Sequence, residues 1–161
     1  MNYKIGNGVD IHKLKPGIPL ILGGVNIPSK LGSLGHSDGD AVIHALVDAI
    51  LGALSLGDIG TFFPSENQKL KHADSKVFLN FAYKKLKEKK FKISNIDINI
   101  ILEFPKINKY VSLMKNELAE ILKIEPDLIS IKGKTSDGLG YIGSNQGIMT
   151  TASIIIYNNE S

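Results

Sequence analysis

Asp10 and His12 stand two residues apart in a strand-like stretch, and His44 falls in the first turns of a long apolar helix. Residues alternate about the plane of a strand, so Asp10 and His12 project from one face. At a rise of ~3.3 Å per residue they lie roughly 6.6 Å apart, within reach of one ion. One carboxylate and two imidazoles leave a tetrahedral zinc with an open fourth position. That marks a catalytic site, because structural sites close their shell and favour cysteine. A substrate oxygen would take the open position. The competing reading of Asp-x-His is an ordinary surface or turn pair.

The elements that must position these residues follow from patterning. Residues 3 to 12 read as a strand, with Leu20 to Ile27, interrupted by Gly23-Gly24, as its hairpin partner. Residues 28 to 37 read as loop. Asp38-Gly39-Asp40 then opens a helix whose apolar face is Val42, Ile43, Leu46, Val47, Ile50, Leu51 and Leu54. A loop runs from Gly57 to about residue 72, followed by a helix over 73–90, a strand over 95–103, a helix over 107–122, a strand over 128–132 and a β-branched last strand over 147–157. The mixture predicts an α+β fold, a mixed β-sheet with helices packed on one face. Asp40 and Asp48 lie one helical turn on either side of His44, so either carboxylate is a candidate acceptor for its second ring N–H.

At 161 residues and 43% hydrophobic content the chain is expected to form a single domain, 1–161, with a proper core. No run of 18 apolar residues and no charged-then-apolar leader is present, so neither a transmembrane helix nor a signal peptide is expected. The absence of cysteine excludes disulfides, thiolate zinc sites and a cysteine nucleophile. All 19 basic residues are lysine, so phosphates must be held without arginine's fork, by lysine, backbone N–H groups, hydroxyls or metal ions. The net charge of +3 could signal nucleic acid. Its lysines concentrate in Lys84, Lys85, Lys87, Lys89, Lys90 and Lys92, where a solvated helix C-terminus is the better reading.

Two loops, His36-Ser37-Asp38-Gly39-Asp40 and Gly133-Lys134-Thr135-Ser136-Asp137-Gly138-Leu139-Gly140, gather hydroxyls and glycines suited to phosphate. Gly133-Lys134-Thr135 mimics the end of a P-loop, but that pattern needs glycine where Leu128 stands. Taken in order, Asp10-Ile11-His12, Gly35 to Asp40, His44-Ala45-Leu46, Leu56 to Gly60, Phe63-Pro64, Ala73-Asp74-Ser75, Pro105-Lys106 and Leu139-Gly140 resemble the 2-C-methyl-D-erythritol 2,4-cyclodiphosphate synthase family. The resemblance is collinear over nearly the whole chain.

That resemblance implies an enzyme of the non-mevalonate isoprenoid pathway. It would convert 4-diphosphocytidyl-2-C-methyl-D-erythritol 2-phosphate to the cyclic diphosphate with release of CMP. It implies a homotrimer with active sites between adjacent subunits and zinc on Asp10, His12 and His44. A second divalent ion, Mg2+ or Mn2+, would sit on the substrate diphosphate and be held by Asp137. His36 and Thr135 carry over as the transition-state-stabilising pair. Asp58 and the backbone of Ile59 and Gly60 would receive the methylerythritol hydroxyls, followed by the loop Phe63, Pro64, Ser65, Glu66 and Asn67. Leu102, Glu103, Phe104, Pro105, Lys106, Ile107 and Asn108, with Lys134, resemble a cytidine pocket supplied by the neighbouring subunit. Asp10, His12, Ser37, Ser136, Tyr141 and Ser144 complete the expected substrate contacts. Without the family match, His36 is a neutral loop histidine, Asp58 a solvated residue at a helix C-terminus and Pro105-Lys106 a strand-to-helix turn.

Three departures matter. Asp137 stands where glutamate is usual, which favours water-mediated contact with the second ion. Lys134 replaces a small hydroxyl residue and adds positive charge near the diphosphate. Ser144 and Gln146 stand where many members carry arginine and glutamate, so binding of an isoprenoid diphosphate at the trimer axis is expected to be weak. The rival readings are a zinc-dependent phosphoesterase and a non-catalytic trimeric zinc scaffold. The first expects further histidines, and after His44 only His72 remains. The second has no need of His36, Thr135 or Asp58. The expected setting is a bacterial cytoplasm, or the plastid stroma for a processed form.

Overall fold

The computed structural model describes residues 1–66, 68–70 and 72–159. In chain order the elements are β1 (Asn2–Pro16), β2 (Leu20–Leu22), β3 (Val25–Ile27), β4 (Leu31–Leu34), α1 (Ala41–Ala53), α2 (Ile59–Phe62), α3 (Lys76–Glu88), β5 (Lys92–Ile101), α4 (Val111–Leu122), β6 (Ile129–Lys134), α5 (Gly140–Gly143) and β7 (Gly147–Asn158). Five strands form one sheet in the order β4-β1-β7-β5-β6, in which only the β5–β6 pair is parallel. The expected mixed sheet with helices on one face is therefore present.

Period-two alternation divides the sheet. On β5, Ile96, Ile98 and Ile100 are buried, as are Ile148, Thr150, Ala152, Ile154 and Ile156 on β7. The register aligns these with Gly6, Gly8, Asp10 and His12 of β1, so all of them face the helical layer. The opposite face of β1 leaves Tyr3, Ile5, Val9 and Ile11 more than half exposed.

Glycine lets the helical layer come close to that sheet. A Cβ on Gly6 would stand 1.8 Å from the Ala49 carbonyl oxygen, and one on Gly8 would stand 1.9 Å from that of Ala45. Only a residue without Cβ fits under α1 at those points. This close approach brings His44, one residue before Ala45, over the Asp10 and His12 end of β1.

Helix α1 starts where Asp40 caps it. Its Oδ1 accepts from the backbone N–H groups of Val42 and Ile43, each at 3.0 Å, and from Gly23 at 2.9 Å. Its Oδ2 accepts from Gly24 at 2.7 Å. Burial pushes this carboxyl up to about 6, against the pull of those backbone donors. One side chain thus caps the helix and ties down the β2–β3 turn.

Two strand assignments from sequence need correction. Leu20 to Ile27 does not pair with β1; β2 and β3 pair with each other as a separate two-stranded sheet around Gly23-Gly24, both at positive φ. Besides β7, the strand that pairs with β1 is β4, inside the segment read as loop, with Lys13 opposite Leu34 and Pro16 opposite Leu31. The loop expected from Gly57 to residue 72 also holds α2 and a 3₁₀ turn at Gln68–Leu70.

Candidate active site

The ligand atoms of Asp10, His12 and His44 all lie within 4.8 Å of one another. The Asp10 Oδ2 is 3.0 Å from His12 Nε2 and 3.2 Å from His44 Nδ1, and the two ring nitrogens are 3.2 Å apart. Ligands at ~2.0–2.1 Å around a tetrahedral ion stand roughly 3.3 Å from each other, so this triangle has the edge length that zinc requires. Three acceptors that converge so closely repel unless a cation or proton lies among them. The triad is thus a potential metal site and fits a metal-dependent enzyme. Among the described residues no other group of three His, Cys, Asp or Glu side chains converges in this way.

The electrostatics of the metal-free triad follow. Burial works to raise the Asp10 carboxyl, but the hydrogen bonds and charges of His12 and His44 outweigh it and hold the group well below the usual carboxylate range. Burial works to lower His44, and the hydrogen bond and charge of Asp10, helped by Asp40 and Asp38, raise it above its ordinary 6.5. The depressed Asp10 contributes stability above the ordinary 3.8, lost as pH falls through its folded value. The elevated His44 contributes stability below 6.5, lost as pH rises through its folded value. In chelator-treated protein, the melting-temperature advantage over Asp10→Asn is therefore expected to peak between these two pH values. An advantage that keeps growing above pH 7 would contradict the ion-pair reading.

Neither carboxylate proposed from helical spacing orients His44. Asp40 is spent on the α1 cap, and Asp48 accepts from the Ile59 N–H at 2.7 Å, which ties α1 to the start of α2. The outer nitrogen of His44, Nε2, meets hydroxyls instead: Ser75 Oγ at 2.9 Å and Ser37 Oγ at 3.0 Å. The helical spacing rule sees only one helix, and Ser75 is 31 residues away. The signal available in sequence was Ala73-Asp74-Ser75 at the start of α3.

The remaining candidate residues divide into separate regions. His36 is half-buried in the loop before α1, where its carbonyl accepts from the His72 N–H at 2.8 Å. Asp58 is not a helix C-terminal residue but the N-cap of α2; its Oδ1 accepts from Thr61 N–H at 2.9 Å and Thr61 Oγ at 2.8 Å. Those bonds, the side-chain one foremost, lower its carboxyl below the ordinary value. Ile59 and Gly60 follow in α2. Phe63 packs tilted against Phe78 and edge-to-face against Phe81, with centroids 4.7 and 5.0 Å away, while Pro64, Ser65 and Glu66 are exposed. Asn67 lies outside the described residues.

A cavity of about 320 Å³ is lined by Leu102, Pro105, Lys106, Ile107, Asn108, Gly133, Lys134 and Thr135. It gathers most of the expected cytidine wall. The Phe104–Pro105 peptide bond is cis. Gly133 keeps the cavity open towards Ile107, since a Cβ there would meet the Ile107 side chain at 2.9 Å. Two predicted wall residues do not line it. The Glu103 carboxylate accepts from the Ser136 N–H at 3.2 Å, and Phe104 is exposed, with the Lys106 ammonium 5.4 Å from its ring centroid. Asp137 is exposed at positive φ in the loop that follows Thr135. Tyr141 borders a shallow depression beside His12, and Ser144 caps α5 through the Gly140 carbonyl at 3.0 Å.

This cavity and the triad do not meet within one chain. Across the sheet, Asp10 is opposite Thr150, Thr150 opposite Ile100, and Ile100 opposite Gly133. Three strand spacings separate Asp10 from Gly133, roughly 14 Å. Thr135 lies farther along the same edge.

A 2-C-methyl-D-erythritol 2,4-cyclodiphosphate synthase of Clostridium kluyveri is 47% identical over 156 residues, which cover 97% of this chain and 95% of that one. The solved Plasmodium falciparum IspF CDP complex superposes with a TM-score of 0.87 at 39% identity, covering 99% of this chain and 98% of the other. The bifunctional IspDF of Campylobacter jejuni gives a TM-score of 0.93 at 38% identity; the match covers 96% of this chain and 42% of that longer one. The model of the YgbB family matches residues 3–157, so the chain belongs to the YgbB family.

Proposed function

We propose that the chain is a 2-C-methyl-D-erythritol 2,4-cyclodiphosphate synthase of non-mevalonate isoprenoid biosynthesis, releasing CMP from 4-diphosphocytidyl-2-C-methyl-D-erythritol 2-phosphate. The observation that carries the reading is the open-sided Asp10, His12 and His44 triad, in a chain that aligns over 97% of its length with a synthase of that name.

The substrate's own 2-phosphate is the nucleophile, already anionic near neutral pH. Its oxygen bonds to the β-phosphorus as the bond from that phosphorus to the CMP oxygen breaks. No strong protein base is needed, and catalysis reduces to alignment and charge neutralisation. Asp10, His12 and His44 would hold a zinc ion, which would supply Lewis acidity to the β-phosphate. The Asp10 carboxylate would offset one unit of that ion's charge. Lys106 and Lys134 line the cavity proposed for cytidine and add positive charge there. Thr135 Oγ and His36 stabilise the transition state from either side. The exposed Asp137 carboxylate would help to hold a second divalent ion, Mg2+ or Mn2+, whose charge would offset that of the substrate phosphates. The exposed Asp58 carboxylate receives a methylerythritol hydroxyl.

The roughly 14 Å between the triad and the Thr135 edge supports a site shared between copies. The exposed row of Tyr3, Ile5, Val9 and Ile11 is the apolar sheet face that a homotrimer would bury. Among the described residues no helix is long and apolar enough to cross a membrane. The proposed setting is a bacterial cytoplasm, or plastid stroma for a processed form.

Steady-state CMP release tests the assignment. Thr135→Ala is expected to lower kcat about 100-fold with KM nearly unchanged, because a group that acts on the transition state drops out of kcat. A rise in KM alone would make Thr135 a simple binding residue.

A further inference from the structure

Ser75 opens α3, where a serine ordinarily turns its hydroxyl onto the backbone N–H groups of the first helical turn. It makes no such bond. The hydroxyl is instead fully buried and directed away from its own helix, with Oγ 2.9 Å from His44 Nε2. Its proton goes to Asp38 Oδ1. The other oxygen of Asp38 accepts the Ser75 backbone N–H at 2.9 Å. Asp38 therefore grips Ser75 at two points and fixes the direction of its hydroxyl. With that proton committed to a carboxylate, Ser75 Oγ can only accept from His44.

We infer that Ser75, gripped by Asp38, is a positioning residue that holds the His44 proton on Nε2 and so dedicates Nδ1 to the metal. The inference rests on the metal-site reading above. Nδ1 is the nitrogen turned toward Asp10 and His12, and an imidazole that binds through one nitrogen must carry its proton on the other. A hydroxyl acceptor polarised by a carboxylate behind it makes the imidazole a better donor to the ion, and removal of such partners typically costs about 10- to 100-fold in metal affinity. Ser37 Oγ lies 3.0 Å from the same nitrogen and 3.5 Å from Ser75 Oγ, but it makes no hydrogen bond to Asp38 among those described. It is the weaker acceptor of the two, so it does not replace Ser75. Asp38 acts on His44 through Ser75 and not by contact.

The test measures zinc affinity by competition with a chromophoric chelator, at fixed pH, in the full-length protein, Ser75→Ala and His44→Ala. Ser75→Ala keeps the backbone N–H that Asp38 holds, so it removes the relay without removing the loop anchor. Circular dichroism of each variant checks that it is folded. A loss of about 10- to 100-fold in Ser75→Ala, with near-complete loss in His44→Ala, is the expected result. A change under about twofold in Ser75→Ala, with His44→Ala still unable to bind, overturns the relay and leaves the metal site standing. Unchanged zinc binding in His44→Ala sinks the metal-site reading and the relay with it. Independently of any variant, nitrogen-15 spectra of the zinc-loaded wild type should show His44 protonated on Nε2. A proton on Nδ1 overturns the inference even if Ser75→Ala fails to fold.

Discussion

His44→Ala is expected to leave a folded protein that retains almost no zinc and no measurable turnover. The variant removes one of three ligands from a triangle whose edges are 3.0–3.2 Å, and two ligands do not hold a catalytic ion in fixed geometry. The fold survives because His44 sits at the helix edge, while α1 is held by Val42, Ile43, Leu46, Val47, Ile50 and Leu51, all fully buried. The loss in kcat should exceed about 10³-fold, more than for Thr135→Ala, since the Lewis acid and the alignment of the diphosphate go together. Elemental analysis of purified protein, alongside the CMP assay, checks both halves. Stoichiometric zinc in the variant would remove His44 from the ligand set.

Gly8→Ala is the second large effect, and it falls on the sheet rather than on the ligands. The added methyl would lie 1.9 Å from the Ala45 carbonyl oxygen, a backbone atom that cannot rotate away. Helix α1 must lift from β1, which opens the core and moves His44 off the Asp10 and His12 pair. Overpacking in a close-packed core costs typically about 1–3 kcal/mol, and a clash between two backbones belongs at or above the upper end. Gly52→Ala on the same helix is the control: its nearest atom outside the helix is the Asn7 oxygen at 3.9 Å, so alanine should stabilise by about 0.5–1 kcal/mol through helix propensity. Urea midpoints for the two variants should therefore move in opposite directions. Equal midpoints would show that α1 does not need the close approach.

Much of the site was legible because its residues sit on regular elements. The two-residue period put Asp10 and His12 on one face, and Asp40 marked the helix that carries His44. The same period, read one step further back, passes through Gly8 and Gly6, and their meaning becomes visible only when the helix is seen resting on them. β4 escaped because a four-residue edge strand with a glycine and a serine carries too little pattern, and its register depends on β1 running on to Pro16. The Leu20 to Ile27 segment drew the pairing instead because its apolar residues are strand-like, and sequence pattern does not say which strand pairs with which. The partners of His44 were missed for a different reason: local spacing offered two carboxylates, but each serves a backbone N–H, and the hydroxyl that meets the ring comes from another helix. Assignments inside loops, such as Thr135 and Asp137, rest on family resemblance, since no periodicity reports where a loop points.

The measurement that tests the central claim most directly is phosphorus NMR of the products from 4-diphosphocytidyl-2-C-methyl-D-erythritol 2-phosphate with magnesium present, before and after zinc is stripped and restored. The account predicts CMP and a cyclic diphosphate in equal amounts, lost on stripping and regained on restoration. Free phosphate would make the chain a phosphoesterase, and no turnover with zinc bound would make it a scaffold.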